Sequence, residues 1–241
     1  MHQFQRTELL IGKSGLEKLA ASHVAIFGVG GVGGYVVEAL ARSGIGEITL
    51  VDSDDISLTN LNRQIIATHE TIGRSKVVVM AERIASINPN CKIHLQQTFF
   101  LPENADQFNF QNYDYVIDAV DTVAAKISLV LQAQKVSTPI ISSMGTGNKM
   151  NPAMFEVADI YQTSVCPLAR VMRQTLKKHG VKKLKVVYSK ELPIEQKSDA
   201  KLTENINKEG STKRAVPGST AFCPPVAGLI IASEVVKDLL K

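Results

Sequence analysis

A chain of 241 residues, 44% of them hydrophobic, can bury one substantial core and reads as a single domain over residues 1–241. The formal charge of +4 is too mild to name a polyanionic partner by itself, and three cysteines without a C-x-x-C pair exclude a disulfide scaffold and a paired-cysteine zinc site, as expected of a reducing, cytoplasmic setting. No stretch has the apolar length of a signal peptide core or a membrane span, so membrane attachment is not expected.

In chain order, Arg6 heads a segment of roughly helical period, Thr7 to Leu19, expected to form an arm or helix beside the first strand. On spacing alone Arg6 is a solvated charge. The stretch from His23 to Arg63 then organises the chain. Val24 to Phe27 is an apolar run suited to a buried parallel strand. Gly28, Gly30 and Gly33, with Gly31 between them, give the G-x-G-x-x-G spacing of a nucleotide-binding turn. Such glycines bring backbone close to phosphate, and the next helix, Val32 to Arg42, aims its N-terminal N–H groups at the anion. A second strand, Ile48 to Val51, ends at Asp52, about 20 residues past the turn, where an acid can hold ribose hydroxyls. The fingerprint alone says nucleotide, with NAD the default.

The residues beyond Asp52 change that expectation. Asp54 to Gln64 is polar and irregular, and a helix over Ser75 to Ile87 carries Lys76 at its start. A dinucleotide has little use for Asn60, Arg63 and Lys76 together, whereas a triphosphate does: arginine forks onto phosphate oxygens and lysine supplies a point charge. Strands are expected over Lys92 to Gln97, Tyr113 to Ala119 and Pro139 to Ser143, with a helix ending near Val136. Asp121 falls at a strand's carboxyl tip, where a carboxylate can hold Mg²⁺ on phosphates; Asp118 reads as a strand end or cap. The alternation of strand and helix predicts a mostly parallel sheet with helices on both faces.

Further on, Arg170 to Lys190 holds Arg170, Arg173, Lys177, Lys178, Lys182, Lys183, Lys185 and Lys190 and no acid, a single-sign cluster suited to a phosphate backbone. Gln196 to Val216 is polar and mixed in charge and reads as a loop, so that residues 170–216 form a basic, substrate-binding region within the domain. Ala227 to Leu240 is an amphipathic helix. Cys91 reads as core; Cys166 and Cys223 stand at loop boundaries, where an inert role outweighs a thioester or persulfide nucleophile.

The motifs G-V-G-G-V-G (Gly28 to Gly33), V-D-S-D (Val51 to Asp54), T-N-L-N-R-Q (Thr59 to Gln64), G-R-S-K (Gly73 to Lys76) and D-A-V-D (Asp118 to Asp121) together resemble the ubiquitin-activating-enzyme-like adenylating enzymes of the ThiF, MoeB and HesA group, over roughly residues 4–160. The resemblance implies a Rossmann-like adenylation fold, ATP on Asp52, Asn60, Arg63 and Lys76, and Mg²⁺ on Asp121. It also implies a homodimer in which Arg6, in R-T-E-L-L-I-G, reaches the partner's phosphate site. A sulfur-carrier activator of this group usually has paired zinc cysteines, which are missing here. The segments D-A-V-D-T-V and P-G-S-T-A-F are instead similar to the branch that dehydrates N6-threonylcarbamoyladenosine in tRNA. That branch implies tRNA as substrate, with an acyl-adenylate intermediate, AMP and pyrophosphate as products, and a cysteine desulfurase or sulfur-acceptor system as a further candidate partner. The alternatives are an adenylating activator of a ubiquitin-like sulfur carrier and a non-catalytic nucleotide-binding module.

Overall fold

In the computed structural model, which describes residues 1–197 and 217–241, the alternation read from the sequence becomes one seven-stranded sheet. Helix α1 (Gln5–Ala21), bent at Gly12, leads into β1 (His23–Phe27), α2 (Gly33–Ser43) and β2 (Glu47–Val51). Next come α3 (Lys76–Ile87), β3 (Lys92–Gln96), β4 (Tyr115–Asp118), α4 (Val123–Lys135) and β5 (Ile140–Ser143). The second half supplies β6 (Phe155–Asp159), α5 (Pro167–Lys178), β7 (Lys185–Ser189) and α6 (Cys223–Leu239). Strand order is β3-β2-β1-β4-β5-β7-β6, parallel throughout except for the antiparallel edge pair β6–β7. The order reverses between β1 and β4, which opens a crevice outside their carboxyl ends.

Period-two alternation divides each strand between two cores. Ile26, Ile48 and Leu50 face α2, α3 and α6, joining Val36, Leu40, Met80, Ile84, Ile231 and Val235 in one fully buried cluster. Ala25, Phe27 and Val116 face the other way, onto Leu129 and Ala133 of α4 and the rings of Phe100, Phe108 and Phe110. Phe100 to Phe110 had no assignment in the sequence; two short 3₁₀ turns, Pro102–Gln107 and Phe110–Asn112, fold these rings over Phe27, with Phe27–Phe100 centroids 5.1 Å apart. The expected strand at Tyr113 starts only at Tyr115, because Tyr113 still closes the second of those turns.

The basic stretch is not one helix face. It splits between α5, which ends at Lys178, and β7, and a third core of Met172, Leu176, Val186 and Tyr188 seals the two together. Helix α6 is pinned to the sheet by Asp238, whose Oδ2 accepts from Tyr115 Oη at 2.8 Å and Lys185 Nζ at 2.6 Å. Most of the loop expected over Gln196 to Val216, from residue 198 on, lies outside the described residues. Among the described residues no helix is long and apolar enough to cross a membrane.

Candidate nucleotide site

The crevice between β1 and β4 is the candidate site, and backbone sterics shape it. Gly28 follows β1 with φ of 92°, and a Cβ there would lie 2.7 Å from the Ala119 carbonyl oxygen at the end of β4. At Gly33 a Cβ would lie 1.8 Å from the Gly28 carbonyl, so the turn closes backbone on backbone and α2 starts directly behind it. The helix N-terminus thereby faces the crevice, an arrangement that favours an anion.

Gly28, Gly30, Val51, Asp52, Ser53, Asp54, Lys76, Thr98, Phe99, Phe100, Ala119, Val120 and Asp121 line this cleft, drawn from the ends of β1, β2, β3 and β4 and the start of α3. Asp52 sits at its floor: Oδ2 accepts from Val29 N at 2.6 Å and Oδ1 from Asp54 N at 2.9 Å. Burial raises the Asp52 pKa, opposed by Lys76 and those two N–H groups. Lys76 is almost wholly buried, with Nζ 2.7 Å from Asp54 Oδ2 and 3.9 Å from Asp52 Oδ1. Two carboxylates therefore hold this buried cation in place, and an incoming phosphate would have to replace Asp54 on it.

Of the residues singled out from sequence, Gly28, Gly30, Asp52, Asp54, Lys76 and Asp121 converge on the cleft. Asn60 and Arg63 are not among its lining residues. Asn60 Oδ1 accepts from Ser57 N at 3.1 Å, capping a short turn, and Arg63 Nη1 donates to Thr59 O and Asn62 Oδ1, both at 2.9 Å. The Arg63 stem runs past Gly31, whose missing side chain leaves it room, and burial lowers its pKa. Beside it Gln64 is buried with Oε1 lacking a partner among the described residues. Arg6 lies exposed on α1, also outside the lining of its own chain's cleft.

The basic residues need one correction. Arg170, Lys177, Lys178, Lys182 and Lys183 are exposed, as a phosphate-binding surface requires. Arg173 turns inward instead, because it shares the buried side of α5 with Ala169, Met172 and Leu176; its guanidinium donates to the carbonyl and hydroxyl oxygens of Thr163. Lys185 and Lys190 are likewise paired, with Asp238 and Glu156.

One pair behind the cleft escaped sequence reading. Lys126 and Asp118 have no solvent exposure; Lys126 Nζ lies 3.0 Å from Asp118 Oδ1 and 3.1 Å from the Val120 carbonyl, and Ser142 Oγ donates to Asp118 Oδ2. The pair fixes the loop that presents Asp121. A signal existed: Lys126 falls in the apolar stripe of α4 with Ala125, Leu129 and Ala133, where a lone lysine needs a buried partner. All three cysteines are buried, and burial pushes the Cys91 thiol up to about 11 and raises that of Cys223.

A parallel sheet with a glycine turn at its switch point, an acid ending β2 and a buried lysine opening α3 defines an α/β protein built to bind a nucleotide by its phosphates. The chain belongs to the ThiF family, whose model matches residues 4–241. It is 49% identical over its whole length to the tRNA threonylcarbamoyladenosine dehydratase of Bacillus subtilis strain 168, covering 96% of that protein. The Escherichia coli tRNA N6-threonylcarbamoyladenosine dehydratase TcdA, solved in complex with AMP, superposes with a TM-score of 0.88 at 34% identity, over 99% of this chain and 94% of that one. The same enzyme in complex with ATP gives a TM-score of 0.88 at 33% identity, over 99% and 93%.

Proposed function

We propose that this chain is an ATP-dependent dehydratase that cyclises N6-threonylcarbamoyladenosine in tRNA through an acyl-adenylate. The observation that carries the reading is a cleft where the glycine turn, Asp52 and Lys76 meet, in a chain similar end to end to dehydratases of that substrate. The threonyl carboxylate of the modified adenosine attacks the α-phosphorus of ATP and pyrophosphate leaves. The carbamoyl group of the same side chain then closes on the activated carbonyl, giving up a proton and expelling AMP, with net loss of one water. Holding both groups on one side chain makes the second step effectively unimolecular.

Each residue has a definite task in this scheme. Asp52 holds the ribose, the N–H groups of the turn and of α2 face the phosphates, and Lys76 exchanges Asp54 for phosphate oxygen. Arg63 swings from the Thr59 carbonyl toward the same charge. Arg6, exposed at the start of α1 and not among the residues lining its own chain's cleft, acts on a partner copy, which makes the working unit a homodimer. Asp121 and Asp54 offer hard carboxylate oxygens at the mouth of the cleft, a donor set that fits Mg²⁺ shared with phosphates rather than an all-protein cage. When bound, Mg²⁺ would neutralise phosphate charge. The exposed Arg170, Lys177, Lys178, Lys182 and Lys183 take the tRNA backbone in the cytoplasm, and Arg173 serves only to fasten α5. All three thiols are buried, so the scheme assigns them no step, and a cysteine desulfurase or sulfur-acceptor system stays a candidate partner.

Incubation with ATP and modified tRNA tests the reading. AMP release with loss of one water from the nucleoside supports it. AMP formed only when a small carrier protein is supplied would show the sulfur-carrier activator instead.

A further inference from the structure

The opposite edge of the sheet carries a second cluster that the proposed reaction does not use. His23 opens β1, Glu47 opens β2, and these two residues are paired in the parallel register. His94 on β3 pairs with Thr49, two residues beyond Glu47, so period-two alternation puts all three side chains on one face. One nitrogen of each imidazole and one oxygen of the carboxylate lie within 4.8 Å of one another. His94 Nε2 is 2.6 Å and His23 Nδ1 3.6 Å from Glu47 Oε1.

We propose that His23, Glu47 and His94 form a three-ligand site for a borderline divalent transition ion such as Zn²⁺, remote from the nucleotide cleft. A tetrahedral ion bound at about 2.0–2.1 Å holds its ligand atoms about 3.3 Å apart. The His23–Glu47 spacing already lies close to that value, and the His94–Glu47 contact has to open by less than about 1 Å to reach it. The second ring nitrogen of His23 is engaged with Thr49 Oγ1 at 2.8 Å, the outer-shell bond that fixes a metal-binding imidazole's tautomer and direction. Tyr113 meets the His23 ring edge-on at 5.0 Å and walls off that side. Two imidazoles and one carboxylate select zinc or cobalt over the magnesium of nucleotide sites.

Two other charges face the cluster. The Asp114 carboxylate accepts from His23 backbone N at 2.7 Å and adds negative potential. Lys92 Nζ stands 3.0 Å from Glu47 Oε1 and competes for it, but that side chain is 66% exposed and can turn into water. Its departure leaves the fourth position open to solvent.

Titration of the full-length protein, freed of metal, with Co²⁺ in excess Mg²⁺ tests the assignment. One Co²⁺ per chain should bind, with the visible absorption of a four-coordinate ion, and Zn²⁺ should displace it. His94→Gln, at a half-exposed strand position, should weaken binding by at least about 100-fold, above the 10–100-fold typical of outer-shell changes. Asp121→Ala should leave it unchanged. Lys92→Ala should tighten binding several-fold by removing the competitor, and this arm decides the matter if His94→Gln does not fold. No bound Co²⁺, a six-coordinate spectrum, equal affinity in His94→Gln, or weaker binding in Lys92→Ala would each overturn the proposal.

Discussion

Lys126→Met isolates the buried pair behind the cleft. Methionine keeps most of the lysine stem but removes both donors, at 3.0 Å to Asp118 Oδ1 and 3.1 Å to the Val120 carbonyl. Asp118 then remains as a buried carboxylate with only the Ser142 hydroxyl and a 3.3 Å contact from Val120 N. A charged hydrogen bond contributes about 1.5–3 kcal/mol and an orphaned buried carbonyl costs about 1–3 kcal/mol. Their sum, about 2.5–6 kcal/mol, brackets the roughly 3–5 kcal/mol expected when one partner of a buried ion pair is removed. Against a total of roughly 5–15 kcal/mol for a domain, the variant should still fold in the cold but with little margin. Urea unfolding followed by circular dichroism reads the loss through the midpoint at unchanged slope. Adding Asp118→Asn removes the stranded charge and should recover about 2 kcal/mol, so the two substitutions are strongly non-additive. Because Val120 adjoins Asp121, AMP formation should also fall by about tenfold or more where the variant is folded. A loss under about 1 kcal/mol, or a double variant no better than the single one, refutes the reasoning.

Lys76→Ala or Arg63→Ala should remove roughly 2–4 kcal/mol of transition-state stabilisation from ATP turnover while circular dichroism stays native; normal turnover counts against both assignments. Arg6→Ala and Asp121→Ala should each be inactive alone yet regain part of the activity when mixed, through dimers with one complete site; no recovery despite proven subunit exchange points to Arg6 acting within its own chain. Reversing Lys177, Lys178, Lys182 and Lys183 to glutamate should weaken tRNA binding and flatten its salt dependence without altering ATP affinity, whereas an unchanged salt slope argues for another tRNA surface. Burial favours the neutral form of Asp238, but bonds from Lys185, Lys241 and Tyr115 outweigh it and hold its pKa at about 2. Its contribution is therefore complete above the unfolded value of about 3.9 and is lost as pH falls toward 2. Asp238→Asn should unfold more easily at neutral pH and lose that difference across the same window; a gap that persists below it contradicts the linkage.

The glycine turn, Asp52, Lys76 and Asp121 were legible because each is a local signature: a spacing, a strand tip, a helix start. Most strand and helix ends came within a residue or two for the same reason, since apolar runs and Asn88-Pro89 mark them directly. But α6 starts at Cys223, four residues before the expected Ala227, with Pro224 and Pro225 in its first turn. What stayed hidden depends on partners far along the chain. Nothing near Lys126 in sequence shows that Ser142, on the neighbouring strand, completes its carboxylate's bonding. The His23, Glu47 and His94 cluster needs the register of three strands. Arg173 looked like its basic neighbours because charge was counted and its place on the buried side of α5 was not.

The seam between β1 and β4 has a kinetic consequence. The bond from His23 N to the Asp114 carboxylate, at the start of that seam, closes a loop of 91 residues, and β2 and β3 must find their places within it. Parallel pairing over such separations is slow, because the entropy of closing the loop is lost before any ladder repays it. Until β4 arrives, β1 offers an unpaired apolar edge, the form most prone to misassembly. Since the cleft is lined in part by the ends of these two strands, Gly28 and Ala119 to Asp121, a nucleotide can bind only after they pair. Bound ligand should therefore slow unfolding far more than it speeds folding.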